Sequence, residues 1–157
     1  MSSIFLSHAH NDKGFVSEVN GKLNSSGIRT WYDTTSLANG QGLHSEIVKG
    51  ISSAKVFCLF YSKDAAMSEN VRFEIAHAIQ KKVSDPSFQI CVFILDEVEA
   101  PKELAIWKYT RLSNIENKVS FVLEDLKNRV PALVRSSVVY SLGAEALDAA
   151  HEIIGHK

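Results

Sequence analysis

Cysteine is scarce, charge is balanced and long apolar runs are absent from this 157-residue chain. The two cysteines, Cys58 and Cys91, lie inside the apolar runs 56–60 and 90–95. That placement predicts two buried free thiols in strands rather than a disulfide, and it fits a reducing, cytoplasmic setting. Seventeen basic residues against 18 acidic ones leave a formal net charge of −1. Nothing electrostatic therefore draws the chain to nucleic acid or to a membrane surface. No apolar run approaches the roughly 20 residues of a membrane span. Met1-Ser2-Ser3 leads straight into an apolar strand without a basic segment, so no signal peptide is expected. Length fits one domain with a single core, and 45% hydrophobic with 22% charged residues is ordinary for a soluble globular protein.

Several chemistries are missing as well. No G-x-G-x-x-G follows the first apolar strand and no G-x-x-x-x-G-K-S/T occurs, so neither common phosphate-cradling loop is present. A phosphoacceptor domain of similar topology needs acidic residues at the ends of its first and third strands. Those ends read Ser7-His8 and Tyr61-Ser62. No G-x-S-x-G elbow offers a hydrolase serine. His8-Ala9-His10 lacks a cysteine partner and reads as a polar loop, not a metal site. His151 and His156 read as incidental. Cys58, paired on paper with His77, reads as inert core.

The apolar pattern is that of alternating strands and helices. Residues 3–7 form a short buried strand, and Asn11 or Asp12 can cap a helix carrying Phe15, Val16, Val19 and Leu23. Gly27 ends that helix. A strand over 28–32 leads to a polar loop, 33–42. Leu43, Ile47 and Ile51 recur every four residues and mark a second helix. Nearly continuous apolarity over 54–61 and 89–95 predicts two central parallel strands. Ser68 caps a helix with Val71, Ile75, Ala78 and Ile79 on its buried side. Residues 101–106 are a loop or short helix and 107–112 an edge strand. Ser113 with Glu116 forms a capping box for a last helix carrying Val119, Val122, Leu123, Leu126 and Val130. Five strand–helix alternations predict a flavodoxin-like, three-layer α/β fold. Its central five-stranded, mostly parallel sheet carries helices on both faces. Residues 134–157, beyond Pro131, read as a helical extension or the start of a linker to a further domain.

Glu74 is the serious candidate for chemistry. By spacing it joins Asn70, His77 and Lys81 in a polar stripe, which is how a solvated helix face reads. By position it stands at the mouth of an α/β sheet, where ligands bind.

The stretches Ile4-Phe5-Leu6-Ser7-His8, Gly27-Ile28-Arg29-Thr30-Trp31-Tyr32-Asp33, Ser36-Leu37-Ala38-Asn39-Gly40 and Ser68-Glu69-Asn70-Val71-Arg72-Phe73-Glu74 occur in that order. Together they resemble a TIR (Toll/interleukin-1 receptor) domain over residues 1–133. Asn70 and Val71 stand where the family's S-x-W-C-x-x-E motif has Trp and Cys. The resemblance implies that Glu74 is catalytic and cleaves the nicotinamide–ribose bond of NAD+. The products would be nicotinamide and ADP-ribose or a cyclic isomer. It also implies a substrate pocket drawn from Phe5, Ser7, His8, Asp33, Leu37, Gly40, Ser68 and Asn70. Ser68 serves equally as a plain helix cap, and Trp31 with Tyr32 as a strand-end packing pair. No cofactor or metal is implied, since NAD+ is the substrate. The implied partners are other TIR domains by self-association and a fused or separate sensor domain. The implied setting is bacterial antiphage immunity or a secreted effector. The alternatives are a non-enzymatic TIR–TIR adaptor and an enzyme acting on another N-glycoside.

Overall fold

The computed structural model describes residues 4–32 and 43–130. Asp33, Leu37 and Gly40, the domain boundary drawn at 133/134 and the helix expected near the C-terminus lie outside the described residues. The elements run β1 (Ile4–Ser7), a 3-10 turn (His10–Asp12), α1 (Lys13–Ser25), β2 (Thr30–Trp31), α2 (Leu43–Ser53), β3 (Val56–Tyr61) and α3 (Lys63–Ala66). They continue with α4 (Glu69–Ser84), β4 (Gln89–Ile94), a second 3-10 turn (Lys102–Leu104), β5 (Tyr109–Arg111) and α5 (Lys118–Arg129). The five strands form one sheet in the order β2-β1-β3-β4-β5, with every pairing parallel. The order reverses between β1 and β3. In doubly wound sheets that switch point opens a crevice at the carboxyl ends of the strands.

Alternation along each strand divides the core in two. Phe5, Phe57, Leu59, Ile90, Val92 and Ile94 face one side with Ile47 and Ile51 of α2 and Val71, Ile75 and Ala78 of α4. Ile4, Leu6, Val56, Cys58, Phe60, Cys91 and Phe93 face the other with Val16, Val19 and Leu23 of α1 and Val122 and Leu126 of α5. Both faces of the sheet are covered, so the central strands are apolar throughout. The two thiols are buried register neighbours, unoxidised as expected.

Three expectations need correction. First, β2 is two residues long, not five, because Ile28 is consumed in ending α1. Gly27, at φ 85°, adopts the left-handed conformation that a side chain resists. Its N–H donates to the Asn24 carbonyl and that of Ile28 to Leu23, each at 3.0 Å, which closes a Schellman motif. Second, the cap of α5 lies four residues beyond Ser113, the one expected. Leu112 still donates to Ile94 across the sheet, and a turn from Ile115 back to Leu112 occupies Ser113 and Asn114. Asn117 caps the helix instead, its Oδ1 accepting from the Ser120 N–H. Third, Asp12 precedes α1 but makes no side-chain cap. Its carboxylate accepts from the Ser62 hydroxyl at 2.5 Å. Burial raises the Asp12 pKa and the Ser62 hydrogen bond opposes that rise.

Two contacts hold α2 in place. Lys81 of α4 donates to the carbonyls of Ile51, Ser52 and Ala54 at 3.1, 2.6 and 2.7 Å. It thereby gathers carbonyls at and just beyond the end of α2, that of Ile51 also accepting from the Ala54 N–H, and sets a positive charge at the negative end of the helix. Gly50 lets the helix approach the sheet edge. A Cβ there would lie 2.7 Å from Trp31 Cδ2 and 3.0 Å from Phe5 Cε2. Trp31 cannot yield easily, because it stacks on Phe5 at 6.1 Å and Phe5 stacks on Phe57 at 5.7 Å. Gly50→Ala gains about 1 kcal/mol of helix propensity. Overpacking costs about 1–3 kcal/mol, so a net loss is expected, read as a lower urea midpoint with unchanged slope.

Candidate active site

Strand alternation aims the Ser7 side chain to the same face as Phe5, toward α2 and α4. Ser68 opens α4, its Oγ accepting from the Val71 N–H at 3.2 Å. One turn on, Glu74 falls between Val71 and Ala78 on the stripe that meets the sheet. It is 5% exposed, so the solvated-face reading of this residue fails. Ser7 Oγ donates to Glu74 Oε1 at 2.6 Å. Ser7, Ser62 and Glu74 are the buried polar side chains among the described residues.

This pair sits where β1 ends, beside the switch point. Burial pushes the Glu74 pKa up to about 8 and the Ser7 hydrogen bond pulls the other way. At neutral pH the carboxyl is therefore mostly protonated. A group displaced this far at the mouth of a sheet marks a functional candidate.

The remaining candidates divide. His8 is half-buried, with Nδ1 3.3 Å from the Leu6 carbonyl oxygen. Its ring stacks on Tyr32 at 5.3 Å between centroids. Phe5, expected in the lining, is fully buried between Trp31 and Phe57 and presents no open surface. Trp31 packs at the end of its strand as expected. Trp31 Nε1 and Tyr32 Oη are nevertheless buried without a hydrogen-bond partner among the described residues. Ser68 is a helix cap and Asn70 is exposed on the first turn of α4. The remaining members of the polar stripe separate too. Lys81 is spent on α2, and His77 meets the Phe73 ring edge-on at 4.4 Å. Cys58 faces α1 and α5, across the sheet from His77, and burial raises its thiol pKa well above the ordinary value. It is no nucleophile. The Ser7–Glu74 contact was not anticipated, although the alternation Phe5, Ser7 places this serine on the α4 face.

A family model for the TIR domain matches residues 4–123, more than half of the chain. The chain belongs to the TIR domain family. Solved TIR domains share its fold. That of the Toll-related receptor TRR-2 from Hydra magnipapillata superposes with a TM-score of 0.67 at 16% identity, covering 82% of this chain and 98% of that one. The TIR domains of the activated Roq1 resistosome give 0.68 at 17% identity, covering 80% and 99%. The RPS4 and RRS1 TIR heterodimer gives 0.61 at 16%, covering 85% and 98%. A curated relative from Theionarchaea archaeon (strain DG-70-1), named NAD(+) hydrolase TcpA, is 35% identical over 81 residues. The match takes in 51% of this chain and 25% of that protein.

Proposed function

We propose that this TIR domain cleaves the bond between nicotinamide and ribose in NAD+, with Glu74 as the catalytic carboxylate. The observation that carries the reading is a carboxyl buried at a core position of α4 and held by a buried hydroxyl at 2.6 Å. A stability-driven sequence would put an apolar side chain there. The partial relative named as an NAD(+) hydrolase supports the same reading.

The chemistry follows from the substrate. The nicotinamide of NAD+ is already cationic, so it departs with the electron pair of the C–N bond as a neutral molecule and needs no proton. The ribose left behind has oxocarbenium character, as in glycoside cleavage. Glu74, ionised, stabilises that developing positive charge in surroundings of low polarity. Water then adds to the anomeric carbon and loses a proton, which gives ADP-ribose. An adenine nitrogen or ribose hydroxyl adding in its place gives a cyclic isomer.

Self-association completes the proposal. Two of the structural neighbours belong to assemblies, a resistosome and a heterodimer. Residues 33–42, read as a loop from the sequence and outside the described residues, are the segment proposed to reach a neighbouring copy, with a sensor domain as the trigger for clustering. The proposed setting is bacterial antiphage immunity. Purified protein is incubated with NAD+ at several protein concentrations beside Glu74→Ala, and products are separated by chromatography. Nicotinamide release that is lost in the variant, with specific activity rising with protein concentration, is expected. An accompanying peak of ADP-ribose or its cyclic isomer separates hydrolase from cyclase. No release from clustered wild-type protein would turn the reading to a non-enzymatic adaptor.

A further inference from the structure

We infer that Ser7 is a positioning residue, whose hydroxyl fixes the Glu74 carboxylate by one oxygen and leaves the other to face the reacting ribose; the catalytic half of this rests on the NAD+ cleavage proposed above. Ser7 Oγ occupies Oε1, and Oε2 receives no hydrogen bond among the described residues. The division of the two oxygens is what a stabiliser of a nearby cation needs: one oxygen anchored, one available.

The donor stands on a rigid element. β1 is paired on both sides, and Ser7 itself is in register with Leu59 of β3. Ser7 is 1% exposed, so water does not replace its hydroxyl. Ser62, the other buried serine, is committed to Asp12 and to the N–H of Ala65. A site held by packed strands keeps its geometry better than one held by loops.

The titratable side chains on the elements around Glu74 lie elsewhere or are engaged. His8, after β1, stacks on Tyr32. Tyr61, at the end of β3, has its pKa raised by burial and by Glu103, with Arg72 opposing. Glu46 and Lys49 of α2 pair with each other at 3.4 Å. On α4, Arg72 donates to the Ala66 carbonyl and His77 meets Phe73. Among the described residues, burial and Ser7 are the two influences on the carboxyl.

The test uses the whole chain, labelled with 13C at glutamate carboxyls, as wild type, Ser7→Ala and Ser7→Thr. A hydroxyl donating to a carboxylate favours its ionised form, so Ser7→Ala is expected to weaken the Glu74 acid about tenfold, the size of one charge-assisted hydrogen bond. In nicotinamide release, kcat is expected to fall about 10- to 100-fold with KM for NAD+ within about twofold. Ser7→Thr restores both, and Ser7→Cys, with a weaker donor, falls between. An unchanged carboxyl titration in Ser7→Ala would overturn the inference. A raised KM with kcat kept would overturn it too, making Ser7 a substrate contact. Wild-type protein that releases no nicotinamide overturns the NAD+ reading alone, because the titration still decides what Ser7 does to Glu74.

Discussion

Glu74→Gln is expected to abolish nicotinamide release and, at pH 9, to raise the melting temperature by about 10 °C. The two effects share one cause. In the fold the carboxyl titrates near 8, against an ordinary value of 4.5. Below the ordinary value both folded and unfolded chains hold the proton, and the contribution of this group to stability is fully present. As pH rises from there, the unfolded chain ionises first, so stability falls until the folded carboxyl also ionises at about 8. At about 1.4 kcal/mol per unit, the loss is on the order of 5 kcal/mol. Glutamine keeps an oxygen for the Ser7 hydroxyl and never ionises. The gain in melting temperature follows at roughly 2–4 °C per kcal/mol for a chain of this size. Near pH 5 the variant and wild type should melt within about 2 °C of each other. Thermal unfolding at the two pH values checks this. A variant less stable than wild type at pH 9 would make Glu74 a structural carboxylate. Stability gained where activity is lost is the mark of a group retained for chemistry.

Much of this architecture was legible in the sequence, and the failures have definite causes. β3 and β4 are covered on both faces, so their runs read as apolar throughout and could hardly be mistaken. Gly27 announced the end of α1, but the motif it serves also claims Ile28, and β2 is shorter for it. Ser113 and Asn117 are both acceptable caps. What chose between them was Leu112, still bonded to Ile94 and fully buried, which keeps the chain extended past the first candidate. α3 has four residues, too few to show a period. In the site, Glu74 was found by motif while its burial was hidden, because a glutamate between Val71 and Ala78 reads as polar face. Lys81 deepened that impression although it is turned to the end of α2. The pairing of Ser7 with Glu74 could have been found by counting, since Ser7 is the polar end of an otherwise apolar alternation on the α4 face. Phe5 shows the limit of motif transfer: its place in the box was recognised, but the stacking that buries it depends on Trp31 and Phe57, distant in the chain.

The burial of Glu74 also fixes how activity should depend on pH. A carboxyl that stabilises positive charge must be ionised, and in the fold it titrates at about 8. Since kcat/KM reports the free enzyme, it is expected to rise about tenfold per unit below that value and to level off above it. Between pH 6 and pH 9 the total rise is about a hundredfold. The proposed substrate changes the balance, because NAD+ would bring a cationic nicotinamide toward the carboxyl, and an opposite charge nearby favours ionisation. The midpoint of kcat, which reports the bound complex, is therefore expected below that of kcat/KM. Binding at pH 7 should release a proton. Initial rates of nicotinamide release from pH 5.5 to 9.5, with saturating and with scarce NAD+, measure both midpoints. His8, beside Ser7 in the chain, is a second ionisable side chain that must be controlled for. His8→Asn separates the two groups, since the rise must survive it if the carboxyl is responsible. A profile that is flat in kcat/KM, or one abolished by His8→Asn, would remove Glu74 ionisation from the rate. With both midpoints in the expected order, the energy spent in burying Glu74 becomes intelligible. On the proposed reading, the site holds an acid that is mostly neutral at pH 7 and ionises as the cation arrives, so that its charge is present when the ribose needs it.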